Sequence, residues 1–264
     1  MRECLDVLLL AVLQGIAEFL PISSSGHLVL AQNLLGLNMP GVRLEVVLHL
    51  GTMISIMAYY RKPLWALACG ILLGSRSSWT LLGHIVISAV PAAFFYFLCH
   101  DKVDAFYEDP RAVGGFLIFT GIVLLALRWM RCGEGPVTGA RALLTGIAQA
   151  LALMPGVSRS GITLTAGLFR DFKRSDAARF SFLLGIPLIS VAGLKGLSDL
   201  IQSDPSGAEI TRIVAGMTAS AITGFAAIRF LLRYLQHSST KVFVVYRILA
   251  SAVLIGLVLS GFRS

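Results

Sequence analysis

Between positions 18 and 27 the chain gathers a carboxylate, three hydroxyls and an imidazole: Glu18, then Ser23, Ser24 and Ser25, then His27 after Gly26. Gln14 stands four positions before Glu18, so a helix sets both on one face with their polar ends adjacent. Pro21 ends that helix. A second helix starting in the serine run would present hydroxyls and unpaired amides at an N-terminus that favours negative charge. Such groups suit the capture of an anion and attack on it. A histidine changes protonation near neutral pH, and hydroxyl and imidazole alike are competent nucleophiles. Each residue also has a plainer use: serine as a helix cap, glutamate as an ion-pair partner, a lone histidine in packing. Their crowding favours a site, with Glu18, His27 and one of Ser23, Ser24 and Ser25 as catalytic candidates and Gln14, Gly26 and the other serines as binding candidates.

A second segment, Pro155-Gly156-Val157-Ser158-Arg159-Ser160-Gly161, places Arg159 as the only arginine in the middle of its apolar region. A guanidinium stays protonated, forks onto phosphate and stabilises charge on the equatorial oxygens during phosphoryl transfer. Arg159 is therefore the fourth catalytic candidate, and Ser158, Ser160 and Gly161 are expected to help bind. In an empty site Arg159 is free to pair with Glu18. Glu45 and His49 form another one-turn pair, whose role is divided between tuning the site and packing. His84, His100 and His237 read as interfacial. Cys4, Cys69, Cys99 and Cys132 have no paired spacing, so neither a disulfide framework nor a zinc site is expected.

The elements that must position these groups lie in lipid. Of 264 residues, 56% are apolar and only 14% charged, and the mean hydropathy is +0.81. Apolar stretches approaching the roughly 20 residues that cross about 30 Å of hydrocarbon recur along the whole length. The formal charge of +8 does not signal nucleic acid, because its bases are scattered at segment ends without a stripe or aromatic platform.

The expected fold is all-α, a single membrane domain over 1–264. Six full spans are read at about residues 44–60, 80–99, 112–130, 179–199, 211–235 and 242–262. The regions 4–37 and 140–169 are apolar but broken at their middles, and read as re-entrant hairpins. Segment 63–74 reads as an interfacial or half-inserted helix. Irregular backbone at membrane depth survives only where protein or a water-filled cavity supplies partners, so the breaks point to the site. Arg61, Lys62, Arg76, Arg128, Arg131, Arg141, Arg170, Lys173, Arg174, Arg229, Arg233 and Lys241 fall on one side of this layout, which is expected to be cytoplasmic. Asp101, Asp104, Glu108, Asp109, Asp199, Asp204 and Glu209 fall on the other, as do both termini.

The chain also echoes itself. Gly15-Ile16-Ala17-Glu18 matches Gly146-Ile147-Ala148-Gln149, the two Pro/Gly/Ser breaks match with one inserted residue, and Leu50-Gly51 matches Leu184-Gly185 at nearly the same offset. Each half, about 1–132 and 133–264, then holds one hairpin and three spans. An odd number of crossings turns the second half upside down. Inverted repeats with broken helices are also what secondary transporters use, so a transporter or flippase is the main rival to an enzyme, and a scaffold without chemistry is a third reading.

Two signatures, Gln14 to Pro21 running into Ser23-Ser24-Ser25-Gly26-His27, and Pro155 to Gly161, make the chain resemble the bacterial undecaprenyl pyrophosphate phosphatases of the bacitracin-resistance type, over essentially its whole length. The resemblance implies removal of the terminal phosphate from undecaprenyl diphosphate, which recycles the carrier lipid for peptidoglycan synthesis. It further implies a multi-pass protein of the bacterial plasma membrane, an outward-facing site and membrane lipid around it. It makes Glu18, Ser24, His27 and Arg159 the counterparts of the family's active-site groups, and puts Gln14 where many members carry a second glutamate. A divalent cation, Mg²⁺ or Ca²⁺, is implied as well. With Glu18 the motif's sole carboxylate and the one protein ligand in view, a substrate-bridging ion is expected rather than one held by protein alone. The phosphatidic acid phosphatases share a Ser-Gly-His element, but Ser158-Arg159 here is not followed by their His and Asp. The residues leave open whether Ser24, His27 or water attacks. They also leave the tail length and oligomeric state open, with a homodimer as one candidate.

Overall fold

The computed structural model describes residues 2–35, 41–107, 109–126, 135–169, 174–238 and 241–260. Arg128, Arg131, Arg170, Lys173, Glu108 and Cys132 lie outside the described residues, as do the ends of several expected segments at 36–37, 127–130 and 261–262. Cys4, Cys69 and Cys99 are unpaired.

The described residues contain eleven helices and no strand. In chain order they are α1 (Arg2–Phe19), α2 (Ser24–Leu35), α3 (Gly41–Tyr59), α4 (Arg61–Leu72), α5 (Arg76–Tyr107), α6 (Pro110–Ala126), α7 (Gly139–Leu151), α8 (Arg159–Phe169), α9 (Arg174–Gln202), α10 (Gly207–His237) and α11 (Lys241–Leu259). Three stretches, Arg76–Val103, Asp176–Gln202 and Gly207–His237, are long and apolar enough to cross a membrane, and Glu45–Tyr59 and Pro110–Leu125 are shorter apolar helices. Large apolar side chains such as Phe94, Phe97, Ile122 and Ile222 face outward, as they do where lipid is the solvent. The separate helix α4, with none of its residues buried, covers most of segment 63–74.

Small residues let the helices approach closely where lipid offers no hydrophobic drive between them. A Cβ on Gly15 of α1 would lie 2.7 Å from the Ser220 carbonyl oxygen of α10, and one on Gly146 of α7 would lie 2.7 Å from Ser88 Cα of α5. These two glycines occupy matching places in the echoed segments. Serine hydroxyls also tie helices: between α3 and α10, Ser220 donates to the Leu48 carbonyl at 2.9 Å and Ser55 to Ala221 at 2.7 Å, and between α5 and α7, Ser88 donates to Ala142 at 2.7 Å.

The order of contacts gives the helix directions. Val7 meets Gly216 and Gly15 meets Gly224, so α1 and α10 run parallel. Val46 meets Gly196 and Leu50 meets Gly193, so α3 and α9 run antiparallel. Helices α6 and α11 are antiparallel too, with Gly114 against Ile255 and Gly121 against Ile248. At one end of the bundle Glu3 pairs with Arg212, fastening the start of α1 to the start of α10.

Candidate active site

Helix α1 stops at Phe19 because Leu20 precedes a proline and is driven out of the helical region. A short turn follows, with the Ile22 amide donating to the Leu20 carbonyl at 2.7 Å. Ser23 then takes φ +76°, a left-handed conformation uncommon for a residue with a Cβ. Its Oγ accepts the Gly26 amide at 3.4 Å and so caps α2. The second break repeats this device. Gly156 takes φ +88°, and Ser158 Oγ accepts the Gly161 amide at 3.1 Å to cap α8.

The two breaks are stitched together. Ser25 Oγ accepts the Gly156 amide at 3.1 Å, and Ser160 Oγ donates to the Leu20 carbonyl at 3.1 Å. Ser23 and Ser25 hydroxyls stand 3.3 Å apart, and Ser158 and Ser160 hydroxyls 3.2 Å apart. The starts of α2 and α8 therefore open beside one another, each with first-turn amides that have no acceptor inside their own helix.

Glu18 sits where these elements meet. Its Oε2 accepts from Ser24 Oγ at 2.7 Å and from Gln14 Nε2 at 3.1 Å, and lies 3.4 Å from His49 Nε2. Its Oε1 accepts from Arg159 Nη2 at 2.7 Å. Four helices thus deliver side chains to one carboxylate. Arg159 Nη1 also donates to the Ser181 carbonyl at 3.2 Å. Gly185 leaves room for this guanidinium: a Cβ there would lie 2.7 Å from Arg159 Cζ.

His27 is buried within the same break but turned elsewhere. Its Nδ1 stands 2.7 Å from the Ser23 carbonyl and its Nε2 2.8 Å from the Tyr246 hydroxyl, with the two rings stacked at 5.3 Å. A carbonyl only accepts, so Nδ1 carries the hydrogen, and in the neutral ring Nε2 accepts from the Tyr246 hydroxyl.

The catalytic and binding candidates singled out in the sequence are brought together here. Glu18, Gln14, Ser24 and Arg159 touch, while Ser23, Ser25, Gly26, Ser158, Ser160 and Gly161 shape the two helix starts. His27 joins through the backbone of Ser23 and makes no contact with Glu18. The pair Glu45 and His49 resolves in part, since His49 reaches the carboxylate.

Two residues escaped the sequence reading. Arg247 is fully buried and donates to the carbonyls of Pro21 at 3.2 Å, Gly156 at 3.0 Å and Leu117 at 3.2 Å, so one guanidinium pins both breaks to α6. Its signal was present: it is the only charged residue inside the span expected at 242–262. Tyr246, its neighbour, carried none.

The donor set does not fit a metal held by protein alone. Both Glu18 oxygens already face hydrogen-bond donors, one of them a guanidinium, and no cluster of three or more His, Cys, Asp or Glu side chains stands together among the described residues.

The chain is similar to known proteins over nearly its whole length. The family model described as Bacitracin resistance protein BacA matches residues 7–253. The chain is 40% identical to an undecaprenyl-diphosphatase of Thermomicrobium roseum, over 93% of this chain and 95% of that protein. It is 41% identical to one of Pelotomaculum thermopropionicum, over 95% of each chain. It is likewise 41% identical to one of Pelobacter propionicus, over 97% of this chain and 98% of the other.

Proposed function

The chain belongs to the bacitracin resistance protein BacA family, and from that premise we propose that it is an undecaprenyl-diphosphatase of the bacterial plasma membrane. It removes the terminal phosphate of undecaprenyl diphosphate, giving undecaprenyl phosphate and inorganic phosphate, and so returns the carrier lipid to peptidoglycan synthesis. Resistance to bacitracin fits the same activity.

In this reading α3, α5, α6, α9, α10 and α11 cross the bilayer, α1–α2 and α7–α8 are re-entrant hairpins, and the halves 1–132 and 133–264 are inverted repeats. The helix directions support it. Helices that would be counterparts of one another, α3 with α9 and α6 with α11, run antiparallel, as an inverted pair must. Helix α1 packs on α10 as α7 packs on α5, each through the glycine of the echoed segment. The site opens outward, with the lipid tail left in the bilayer.

One observation carries the chemistry: Ser24 Oγ donates to a carboxylate oxygen at 2.7 Å while Arg159 holds the other oxygen of the same carboxylate. A serine hydroxyl is a weak nucleophile until a base takes its proton, and Glu18 is placed to take it. Ser24 Oγ attacks the terminal phosphorus, its proton passes to Glu18, and the bond to the bridging oxygen breaks to release undecaprenyl phosphate. Water then cleaves the phosphoserine. Arg159 turns from Glu18 to the transferring phosphoryl group, and the hydroxyls and amides at the starts of α2 and α8 hold the remaining oxygens. His27, with Nε2 engaged by Tyr246, orders the serine turn. The Mg²⁺ or Ca²⁺ that the family resemblance implies would be held chiefly by the substrate, since the oxygens of Glu18 are engaged, and would supply charge neutralisation on the diphosphate.

The test is release of inorganic phosphate from a polyprenyl diphosphate by detergent-purified protein, wild type beside Arg159→Ala, with and without a divalent-metal chelator. Release by wild type and a loss of at least about a hundredfold in the variant is expected, the scale of removing one preorganised donor to a developing charge. Release by neither folded protein, with metal supplied, would overturn the reading in favour of a transporter.

A further inference from the structure

We infer that His49 is the standing cationic partner of Glu18, a positioning residue that frees Arg159 to leave the carboxylate and hold the phosphate. The inference rests on the phosphatase reading and deepens it.

His49 Nδ1 lies 2.8 Å from the backbone carbonyl of Glu45, one turn earlier on α3. A carbonyl only accepts, so Nδ1 carries a hydrogen. The other nitrogen, Nε2, faces Glu18 Oε2 at 3.4 Å. A neutral ring would aim a lone pair at a carboxylate that already accepts from Arg159, Ser24 and Gln14. Only the ring protonated on both nitrogens suits both neighbours. The carboxylate of Glu18 faces the ring from α1.

The two cations on Glu18 are placed differently. Arg159 holds Oε1 from the enclosed side, with 9% of its side chain exposed, while 25% of the His49 side chain is exposed. Arg159 has a second task, because the phosphoryl group needs its fork. If it were the carboxylate's sole counter-ion, its departure would leave Glu18 bare in a low-dielectric site beside an anionic substrate, a costly arrangement. His49 removes that conflict. It keeps Oε2 neutralised while Oε1 is released, and it leaves Ser24 hydrogen-bonded to the same oxygen. Gln14, which adds a donor and no charge, does not undo the balance.

His49→Gln keeps a polar side chain and removes the charge, whereas His49→Lys restores a charge without the ring. Both are assayed for phosphate release from polyprenyl diphosphate beside wild type, with folding checked by monodisperse elution and thermal unfolding. Without the imidazolium, Arg159 is held harder by Glu18, so the substrate must compete for it. In His49→Gln, KM is expected to rise about tenfold or more, the worth of one hydrogen bond to a charged group, with kcat changed by less than about threefold. His49→Lys is expected to bring KM back to within about threefold of wild type, which a packing role would not do. Wild-type KM in His49→Gln, a loss confined to kcat, or a lysine variant no better than the glutamine one would each overturn the inference while leaving the phosphatase reading intact. No release by wild type would overturn both. Should His49→Gln not fold, His49→Asn carries the same comparison.

Discussion

The second break is built on a residue without a side chain, and adding one methyl group there tests the whole arrangement. Gly156 takes φ +88°, donates its amide to Ser25 Oγ and receives Arg247 on its carbonyl. In Gly156→Ala the new Cβ would overlap the Val113 carbonyl oxygen and stand 3.2 Å from the Leu117 amide nitrogen, both backbone atoms of α6. Val113 and Leu117 are fully buried, so α6 has little room to retreat. A left-handed L-residue costs about 1–2 kcal/mol, and overpacking a tight interior costs about 1–3 kcal/mol. Together they predict roughly 2–5 kcal/mol of destabilisation, or a shift of the break that lengthens the Ser25 and Arg247 contacts and lowers turnover. The control is Gly115→Ala on the same helix, where a Cβ meets nothing within 4 Å, and where alanine is expected to be neutral or to stabilise by up to about 1 kcal/mol. Thermal unfolding in detergent and phosphate release, measured on both variants, give the comparison. A Gly156→Ala protein that unfolds at the wild-type temperature and turns over at the wild-type rate would refute the reasoning.

Ser24→Ala removes the hydroxyl that donates to Glu18 and should cost about 10³-fold or more in kcat, on the scale of losing a nucleophile, with unfolding little changed; a rate within tenfold of wild type would return the attack to water or His27. Gly185→Ala pushes a Cβ against the Arg159 guanidinium and is expected to weaken turnover like a mild form of Arg159→Ala, seen as a raised KM in the phosphate-release assay. Arg247→Met strands the Pro21 and Gly156 carbonyls at about 1–3 kcal/mol each, whereas Leu117 keeps its partner within α6. It also removes a buried charge that has no carboxylate partner among the described residues, and that relief is worth several kcal/mol. Stability should therefore move by less than about 3 kcal/mol while activity falls at least tenfold, as unfolding and turnover measured side by side will show.

Much of this site was legible because the bilayer penalises polar breaks. Pro21 and the serines after it, and Gly156 with Arg159 after it, stand out in apolar sequence, and the echo between them foretold that they belong together. The glycines of the echo were legible as a pattern but not as a purpose. Only the packing shows that Gly15 and Gly146 admit a neighbouring helix, and that Gly185 makes space for a guanidinium. The charge of Arg247 stood out in its span, but its role did not, because its partners are carbonyls 91 to 226 positions away and a carbonyl has no residue type to read. Tyr246 reaches His27 across 219 positions, and Ser181 serves through its backbone alone. Helix lengths differ from the expected spans where charged residues extend a helix beyond its apolar middle. Helix α5 runs from Arg76 to Tyr107 although hydropathy marks only 80–99, since Arg76, Asp101 and Lys102 continue the same helical hydrogen bonding.

The stitching of one break to the other has a consequence for how the protein is made. Glu18 leaves the ribosome 141 residues before Arg159, an interval of roughly 7–28 s at common rates of synthesis. Throughout that time the first hairpin lacks its guanidinium partner, its Leu20 carbonyl has not met Ser160, and the hydroxyl of Ser25 has no Gly156 amide to receive. A lone carboxylate is poorly tolerated at membrane depth. In the first half alone, the cationic partner that the fold brings to this carboxylate is His49, which follows Glu18 by 31 residues. The pairing of the two breaks can thus begin only once Gly156 to Ser160 have been made, and Arg247, which pins both breaks, comes later still.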